Sequence, residues 1–319
     1  MSENTSLGVY VTGAATGLGR AVVRQLVARG YTVTGTAVTM ADANAIRQDG
    51  GLPVYDDLLR SGAILSTLKM TKATLIVNTA PQVINTLPFH KPDWDYYQKL
   101  LIDGSAALAD AAAQAGVQFV VHASYAFLYG DTHGEWADES HALDTSNPLF
   151  AAAAQAEKTL LNSGVPVCVL RAGYNYGPGN QSIETLHERL INRGVVNVSE
   201  DVASWVQIND LADALVLALE KQPAGEVFNI ADDEPVSPMH FVKQFADNLS
   251  VSHPGKLPLP FNLGELVLPA AERALLDVSV KASAAKAKEQ LGWGPQYTSM
   301  TAGIEQMLLA WRAAESVQV

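Results

Sequence analysis

A glycine-rich segment near the N-terminus, TGAATGLG, constrains the fold of this chain more than any other feature. It spans Thr12 to Gly19, follows the apolar run Leu7 to Val11, and precedes Arg20 to Arg29, where apolar residues recur at helical spacing. In a strand–loop–helix unit, glycines allow a tight turn and let backbone N–H groups approach a pyrophosphate at the helix N-terminus. Because both flanks meet this requirement, the segment predicts a dinucleotide-binding loop rather than a plain turn. The predicted contact residues are Gly13, Ala15, Thr16, Gly17, Leu18 and Gly19.

Predicted strands and helices alternate along most of the remaining chain. The predicted helices are Leu100 to Ala115, Phe150 to Asn162 and Leu211 to Glu220. The predicted strands are Tyr31 to Val38, Thr74 to Asn78, Val117 to His122, Val165 to Leu170 and Glu226 to Ile230, and the segment Trp205 to Ile208 continues the alternation. Alternation requires crossover connections, so the sequence predicts an α/β fold with a doubly wound parallel sheet of the Rossmann type.

Two stretches rich in glycine and proline, or irregular, interrupt this alternation. They are Gly173 to Asp201 and Asp232 to Leu268. We assign residues 1–172 and 203–231 to the dinucleotide-binding domain. Residues 173–202 and 232–319 are assigned to a smaller, C-terminal substrate-binding lobe. Such a lobe is expected to cover the C-terminal edge of the sheet, where ligands of these folds bind.

Charge and composition restrict the partners of the chain. The formal net charge is −12 and the lysines and arginines are scattered, which disfavours nucleic acid and anionic membrane surfaces. No apolar run approaches the roughly 20 residues of a membrane helix, and the polar N-terminus lacks the features of a secretory signal. The single cysteine, Cys168, lies in an apolar run and indicates a buried thiol in a reducing compartment. We expect a cytoplasmic protein with a small-molecule substrate.

Further motifs follow the glycine loop in a recognisable order. They are Asp57-Leu58, Asn78-Thr79-Ala80, Tyr129-Gly130, Arg171, Tyr176-Gly177-Pro178, Asp210 and Gln290-Leu291-Gly292-Trp293. Together they resemble the extended short-chain dehydrogenase/reductase family, also called the NAD-dependent epimerase/dehydratase family, from Leu7 to about Trp311. The resemblance implies that Asp57 and Leu58 contact the adenine. It also implies that Thr79, Ala80 and Pro81 lie beside the cofactor.

The sequence leaves the choice between NAD and NADP open. NAD preference commonly rests on a carboxylate at the end of the second strand, and NADP preference on a basic group there. The segment Thr34 to Thr39 supplies neither. Because no carboxylate is expected to repel a 2′-phosphate and Arg20 is expected nearby, the sequence leans faintly to NADP.

The family's catalytic Tyr and Lys, four residues apart on one helix, are missing. The resemblance places Leu149 at the Tyr position and Ala153 at the Lys position. None of the ten tyrosines has a lysine four residues later, so an error of register does not explain the loss. The family's other relay positions correspond to Leu101 and Tyr125, which are also changed.

The remaining candidates for proton chemistry lie near the end of the predicted strand at His122. Tyr125 takes the position that hydrogen-bonds the substrate oxygen in the family, so it is either a relocated acid or an aromatic wall. The resemblance also places Ala126, Tyr174 and Asn175 on the substrate side. Other titratable residues near this point are His122, His133, His141 and the acidic stretch Asp131 to Glu139. We expect His122 to be a structural histidine and the acidic stretch to be a solvated loop. No spacing predicts a metal site.

Two functions of different classes fit these features. The first is an NAD(P)-dependent oxidoreductase, epimerase or dehydratase that uses a non-standard acid on a small carbonyl or hydroxyl substrate, sugar nucleotides included. The second is a non-catalytic dinucleotide-binding sensor or structural subunit. The polar groups that cluster at the predicted substrate site favour the enzyme. A homodimer through Trp94 to Ala115 and Phe150 to Asn162 is compatible with the apolar residues Leu100, Leu101 and Leu108, although burial within the monomer explains them equally.

Overall fold

A seven-stranded, wholly parallel sheet forms the centre of the molecule. The computed structural model describes residues 7–84, 93–194, 196, 198–254 and 278–317. In spatial order the strands are β3 (Leu52–Val54), β2 (Thr32–Thr36), β1 (Gly8–Thr12), β4 (Ala73–Asn78), β5 (Phe119–Tyr125), β7 (Val167–Ala172) and β10 (Val227–Ile230). The order reverses direction at β1, as in a doubly wound Rossmann sheet. The predicted fold class is therefore confirmed.

Ten α-helices are found in the described residues. They are α1 (Gly17–Ala28), α2 (Met40–Gln48), α3 (Ser61–Thr71), α4 (Trp94–Lys99), α5 (Ser105–Ala115), α6 (Pro148–Leu161), α7 (Gln181–Ile191), α8 (Ile208–Lys221), α9 (Pro238–Asn248) and α10 (Met300–Val317). A π-helical turn, Leu100–Gly104, joins α4 to α5. Within this part of the chain, no helix combines the length and apolar character that a bilayer crossing requires.

Both faces of the sheet are covered by helices with buried apolar sides. On one face α1 and α8 pack together, and Leu26 and Leu215 lie in a cluster that includes Val9 and Val121 of the strands. On the other face α3 packs on α5 through residues such as Leu68. Apolar burial on both faces is what a parallel sheet needs, and it fixes the carboxyl ends of β1, β2 and β4 at one edge. Cys168 is buried in β7, as predicted.

The C-terminal lobe is more regular than its sequence suggested. Where the structure describes Gly173 to Asp201 and Asp232 to Leu268, the expectation that they are irregular is wrong, because α7 and α9 lie within them. Residues 195, 197 and 255–268 lie outside the described residues. Asn180 and Ser237 cap these two helices with their side chains, and each helix buries one apolar face.

Two short parallel strand pairs complete this region. β6 (Asp131–Ala137) pairs with β11 (Ser279–Ala282), so the expected acidic loop is in fact mostly an exposed strand. β8 (Tyr174–Tyr176) pairs with β9 (Trp205–Gln207) across the boundary that the sequence suggested between domain and lobe. The domain boundaries therefore stay a prediction.

The apolar side of the α4–α5 unit is used inside the monomer. Leu100, Leu101 and Leu108, the residues that are compatible with a homodimer but also with burial in the monomer, are all buried in the single chain. Tyr96 and Ile102 are the large apolar residues that this unit leaves exposed. Burial within the monomer therefore accounts for the apolar residues Leu100, Leu101 and Leu108, and the homodimer stays a prediction.

Candidate functional site

A cavity of about 340 Å³ opens at the carboxyl ends of β1, β2 and β4. We call it the main cavity. Predicted cofactor residues that line it are Gly13, Ala15, Thr16, Gly17, Leu18, Leu58 and Ala80. The sequence predicted one further lining residue, Asn175, as a site residue. The other lining residues are Thr36, Val38, Asp42, Gln82, Tyr96, Tyr97, Leu100, Gly179, Asn180, Gln181, Ser182 and Ile208.

The glycine loop is built so that only glycine fits at its key positions. Gly13 has φ +63°, and a Cβ atom there would lie 2.7 Å from Cα of Ala80. A Cβ atom on Gly19 would lie 2.0 Å from the carbonyl oxygen of Gly13, which explains why this predicted residue packs under the loop instead of lining the cavity. Thr16 caps α1 by accepting the N–H of Gly19 at 3.0 Å. The result is a cradle of backbone at a helix N-terminus, which fits a pyrophosphate.

A second helix N-terminus faces the same cavity. Asn180 caps α7 by accepting the N–H groups of Ser182 and Ile183, at 3.0 and 3.3 Å. The loop before it touches the glycine loop, since a Cβ atom on Gly17 would lie 2.7 Å from the carbonyl of Gly179. The positive ends of the α1 and α7 dipoles therefore both favour an anionic group between them.

At the end of the cavity near β2, the structure removes both reasons for the lean to NADP. A carboxylate is present there after all, because Asp42 of α2 lines the cavity beside Thr36 and Val38. Arg20 is engaged elsewhere, with its Nε and Nη2 atoms 2.6 and 3.1 Å from the carboxylate of Asp49. Asp42 lies in the first turn of the helix that follows β2, outside the segment Thr34 to Thr39 on which the expectation was based.

Besides Gly19, three more predicted cofactor residues do not border the main cavity. The Asp57 carboxylate accepts the N–H of Leu59 at 3.0 Å. Thr79 is buried and its hydroxyl donates to the carbonyl of Thr12 at 2.6 Å. Pro81 faces Tyr125, as described below. Their assigned contacts with the cofactor stay predictions.

Three amide side chains that line the main cavity form a hydrogen-bonded chain. Nδ2 of Asn180 donates to Oδ1 of Asn175 at 2.9 Å, and Nδ2 of Asn175 donates to Oε1 of Gln82 at 3.2 Å. Nε2 of Gln82 in turn donates to the carbonyl of Ser124 at 2.6 Å. Asn175 was predicted on the substrate side, whereas Gln82 was missed although it lies two residues after Ala80. These amides offer neutral hydrogen-bonding groups to a ligand.

The helix that carries the family's Tyr and Lys positions offers only aliphatic groups. Leu149 and Ala153 of α6 are both buried in an apolar cluster with Phe127 and Phe150. Neither residue borders the main cavity. No proton can be exchanged from these positions.

Tyr125 is poorly placed to act as the relocated acid. Its side chain is fully buried, its ring stacks on Phe127, and its hydroxyl donates to the carbonyl of Pro81 at 2.5 Å. Burial raises the pKa of Tyr125 well above its ordinary value, and nearby Tyr97 adds to the shift. Tyr125 does not border the main cavity, so both its role as the relocated acid and the alternative of an aromatic wall stay predictions.

Ala126 and Tyr174 are also predicted substrate residues, and both border a separate void of only about 10 Å³. The ring of Tyr174 packs against Trp205, with 5.5 Å between the ring centroids. A void of this size holds at most a water molecule. Their role in substrate binding stays a prediction.

The histidines near this region have structural or surface positions. His122 is buried, and its Nδ1 atom lies 3.0 Å from Nδ2 of Asn78, which fixes it as the acceptor of that amide. Burial lowers the pKa of His122 to about 4, although the Glu157 carboxylate opposes the shift. His133 is exposed beside Asp131, and His141 packs edge-on against Tyr129. The expectation of a structural role for His122 agrees with this geometry.

Tyr97 is a phenol that does border the main cavity. It lies on α4 next to Tyr96, with the two rings edge to face at 5.6 Å. Burial, with smaller contributions from Tyr96 and Asp93, raises the pKa of Tyr97 to about 12. Sequence reasoning treated α4 only as a dimer helix, so it missed this residue.

The fold and this cleft define a dinucleotide-binding α/β protein with two helix N-termini at the phosphate site. Residues 9–231 match the NAD dependent epimerase/dehydratase family, and the chain belongs to that family. The resemblance drawn from the motifs is therefore confirmed. Membership places the chain among NAD-dependent oxidoreductases, epimerases and dehydratases.

Individual relatives cover nearly the whole chain. A 3-diazoavenalumate denitrifying reductase from a Streptomyces species is 28% identical over 309 residues, which are 93% of this chain and 98% of that protein. The structure of a dTDP-glucose 4,6-dehydratase from Bacillus anthracis in complex with NAD matches with a TM-score of 0.80, 17% identity and 98% coverage of both chains. A UDP-glucose 4-epimerase from Thermotoga maritima with UDP-glucose gives a TM-score of 0.77, 20% identity and coverage of 97% and 99%. At these identities the two structures support the fold alone.

Proposed function

We propose that this protein is an NAD-dependent reductase of a small molecule that works without the family's Tyr and Lys pair. One observation carries the proposal: the glycine cradle and the α1 and α7 N-termini are intact around a cavity of about 340 Å³.

The residues present fit a nicotinamide dinucleotide. Gly13, Thr16, Gly17 and Leu18 would hold the pyrophosphate, and Thr36, Val38 and Leu58 would border the adenosine end. When bound, such a cofactor supplies or accepts a hydride at its nicotinamide ring. The amide chain of Gln82 and Asn175 would orient polar groups in the cavity.

Tyr97 would provide the hydrogen-bond donor on the substrate side. Because burial raises its pKa to about 12, the phenol stays protonated near neutral pH. A protonated phenol can stabilise the developing oxyanion of a carbonyl and give it a proton, since an alkoxide is the stronger base. The reverse reaction needs phenolate, which is scarce without a neighbouring lysine. The protonated phenol therefore suits the carbonyl-reduction step, and the oxidation step would first need the phenol to lose its proton.

The nearly full-length relative that is named as a reductase of a diazo compound supports this direction. Hydride transfer to a cationic acceptor, such as a diazonium group, neutralises a positive charge and leaves no oxyanion. Such an acceptor has little use for a proton donor. The aliphatic Leu149 and Ala153 are compatible with it, so diazonium compounds belong beside carbonyl compounds among the substrates to be tested.

The proposal is tested by following reduced-nicotinamide absorbance with panels of carbonyl and aryl diazonium acceptors. We expect turnover with at least one class. With a carbonyl acceptor, Tyr97→Phe should lower kcat by about tenfold or more, whereas with a diazonium acceptor it should have little effect.

Tyr125→Phe is the matched control, because its hydroxyl is held by Pro81, and it should change kcat by less than about threefold. A protein that binds the cofactor with a raised melting temperature, but turns over no acceptor, would instead support the non-catalytic alternative.

A further inference from the structure

We infer that Asp42 selects NAD over NADP at the adenosine end of the main cavity. The inference rests on the proposed cofactor binding. It assigns the choice between NAD and NADP to a residue of α2, whereas in this fold a residue at the end of the second strand commonly makes that choice. Asp42 is the third residue of α2, in the first turn after β2.

The carboxylate of Asp42 is held in place by the start of its own helix. Its Oδ2 atom accepts the N–H groups of Val38 and Thr39, at 3.0 and 2.8 Å. In return the Thr39 hydroxyl accepts the N–H of Asp42 at 3.1 Å, which completes a capping box. Among the described residues, Oδ1 accepts no hydrogen bond. One carboxylate oxygen therefore stays available to a ligand, at a position that the other oxygen fixes.

The neighbours of Asp42 define which part of the cofactor it would meet. Thr36, at the end of β2, also lines the cavity, and its hydroxyl accepts the N–H of Gly13 at 2.9 Å. Asp42 thus lines the cavity beside the end of β2, where the adenosine ribose is expected in this fold. A fixed carboxylate oxygen accepts hydrogen bonds from the ribose 2′-hydroxyl, but it repels a 2′-phosphate.

No described residue that lines the cavity is a lysine or arginine that could offset this repulsion. Arg20 is held by Asp49, whose carboxylate also accepts from Arg24 at 3.2 Å. Asp49 therefore withdraws both cations of the first helix from a 2′-phosphate, while Asp42 adds a negative charge. Both effects act in the same direction, toward NAD.

The test measures dissociation constants of NADH and NADPH by fluorescence titration of wild type and two variants. Asp42→Asn keeps the shape of the side chain and an oxygen for the N–H groups of Val38 and Thr39, but it removes the charge. Thr39→Ala is the control, because it breaks the other half of the capping box and leaves the carboxylate in place.

We expect wild type to bind NADH at least about tenfold more tightly than NADPH, and Asp42→Asn to reduce that ratio to less than about threefold, mainly through tighter NADPH binding. Thr39→Ala should leave the ratio unchanged. Wild-type preference for NADPH, or an equal change of both constants in Asp42→Asn, would overturn the inference, but it would leave the proposed nicotinamide-dependent reduction without the Tyr and Lys pair to its own test. Failure of wild type to bind either dinucleotide would overturn both.

Discussion

The phenol of Tyr125 and the main-chain carbonyl of Pro81 form a fully buried hydrogen bond of 2.5 Å. This contact ties the segment after β4 to the end of β5, beneath the wall formed by Gln82 and Asn175. Tyr125, which the family resemblance suggested as a substrate contact, therefore lies behind the wall of the cavity and supports it.

Replacing Tyr125 with phenylalanine should cost stability. The Pro81 carbonyl would lose its donor in a buried setting, and we expect the free energy of unfolding to fall by about 1–3 kcal/mol in urea denaturation. Tyr55→Phe is the control, because the Tyr55 ring is exposed and its hydroxyl lies only near the Met40 sulfur, so its effect should stay within about 0.5 kcal/mol. Equal stabilities of the two variants would contradict the structural role.

A buried ion pair joins α6 to β7 beside this site. Glu157 and Arg171 lie 2.7 Å apart with side chains 4% and 8% exposed, and Glu157 also accepts from Ser124. Removing the negative charge with Glu157→Gln leaves the guanidinium buried without a counter-ion, and we expect a loss of about 3–5 kcal/mol in the free energy of unfolding.

The surface pair Lys286–Glu226 supplies the comparison. Its N···O distance is also 2.7 Å, but the side chains are 25% and 45% exposed, and solvent screens the attraction. Glu226→Gln should therefore lower the free energy of unfolding by less than about 1 kcal/mol. If both substitutions lowered the free energy of unfolding by similar amounts, burial would not explain the contribution of the Glu157–Arg171 pair to stability.

Local sequence pattern was sufficient to predict six of the seven strands of the sheet and the strand–loop–helix context of the glycine loop, whereas β3 was missed. Each predicted strand, and each predicted helix that covers the sheet, shows a recognisable spacing of apolar residues in its own short segment. The glycine loop is likewise one continuous segment, and it is identified by the strand before it and the helix after it. α7 and α9 were missed because their apolar faces lie among glycine, proline and polar residues, although the caps Asn180 and Ser237 were visible in the sequence.

The wall formed by Gln82 and Asn175 depends on contacts between distant segments, which no local pattern encodes. Gln82 meets Asn175 across 93 positions of the chain, and nothing near either residue predicts this pairing. The orientation of Tyr125 is likewise set by a carbonyl 44 residues earlier. The spacing of Thr39 and Asp42 is that of a capping box and is visible in the sequence. The place of Asp42 at the cavity, however, depends on how α2 follows β2 in the folded chain.

Gly17→Ala tests the contact between the two loops that flank the phosphate site. The new Cβ atom would lie 2.7 Å from the backbone of Gly179, so one loop has to move away. We expect dinucleotide affinity to fall by about tenfold or more, measured by fluorescence titration, because the pyrophosphate cradle is displaced.

Gly62→Ala, in the first turn of α3, meets no atom within 4 Å and has ordinary helical backbone. It should leave affinity unchanged and raise stability slightly, by up to about 1 kcal/mol. Unchanged affinity in Gly17→Ala would mean that the Gly179 loop yields without disturbing the cradle.

His122 should make the protein sensitive to mild acid. Burial lowers the pKa of His122 to about 4, whereas the unfolded chain takes up the proton near the ordinary value of 6.5. The unfolded state therefore binds more protons between these values, and the free energy of unfolding contributed by His122 falls as pH drops from 6.5 to about 4.

The full loss amounts to about 3 kcal/mol. His122→Gln should remove this slope, so the stability difference between wild type and variant, followed by urea denaturation across that range, should change in favour of the variant as pH falls. A difference that does not vary with pH would show that His122 is not held neutral.

Asp232 should have the opposite effect at higher pH. It follows β10, its Oδ2 atom is buried, and the part of the chain that the structure describes offers that oxygen no hydrogen-bond donor. The hydroxyl of Tyr176 is buried and unpartnered in the same sense. Burial, together with the nearby carboxylates of Glu234, Asp233 and Asp210, raises the pKa of Asp232 to about 8.

Because the folded state keeps this proton while the unfolded chain loses it near 3.8, the contribution of Asp232 to stability declines as pH rises toward 8. Asp232→Asn should therefore be more stable than wild type by more than about 2 kcal/mol at alkaline pH, and nearly equal to it near pH 4, where both side chains are neutral. The slope opposes that of His122 below pH 6.5, so each is measured against its own variant. A variant less stable than wild type at alkaline pH would mean that the Asp232 carboxylate is ionised and paired in the folded protein.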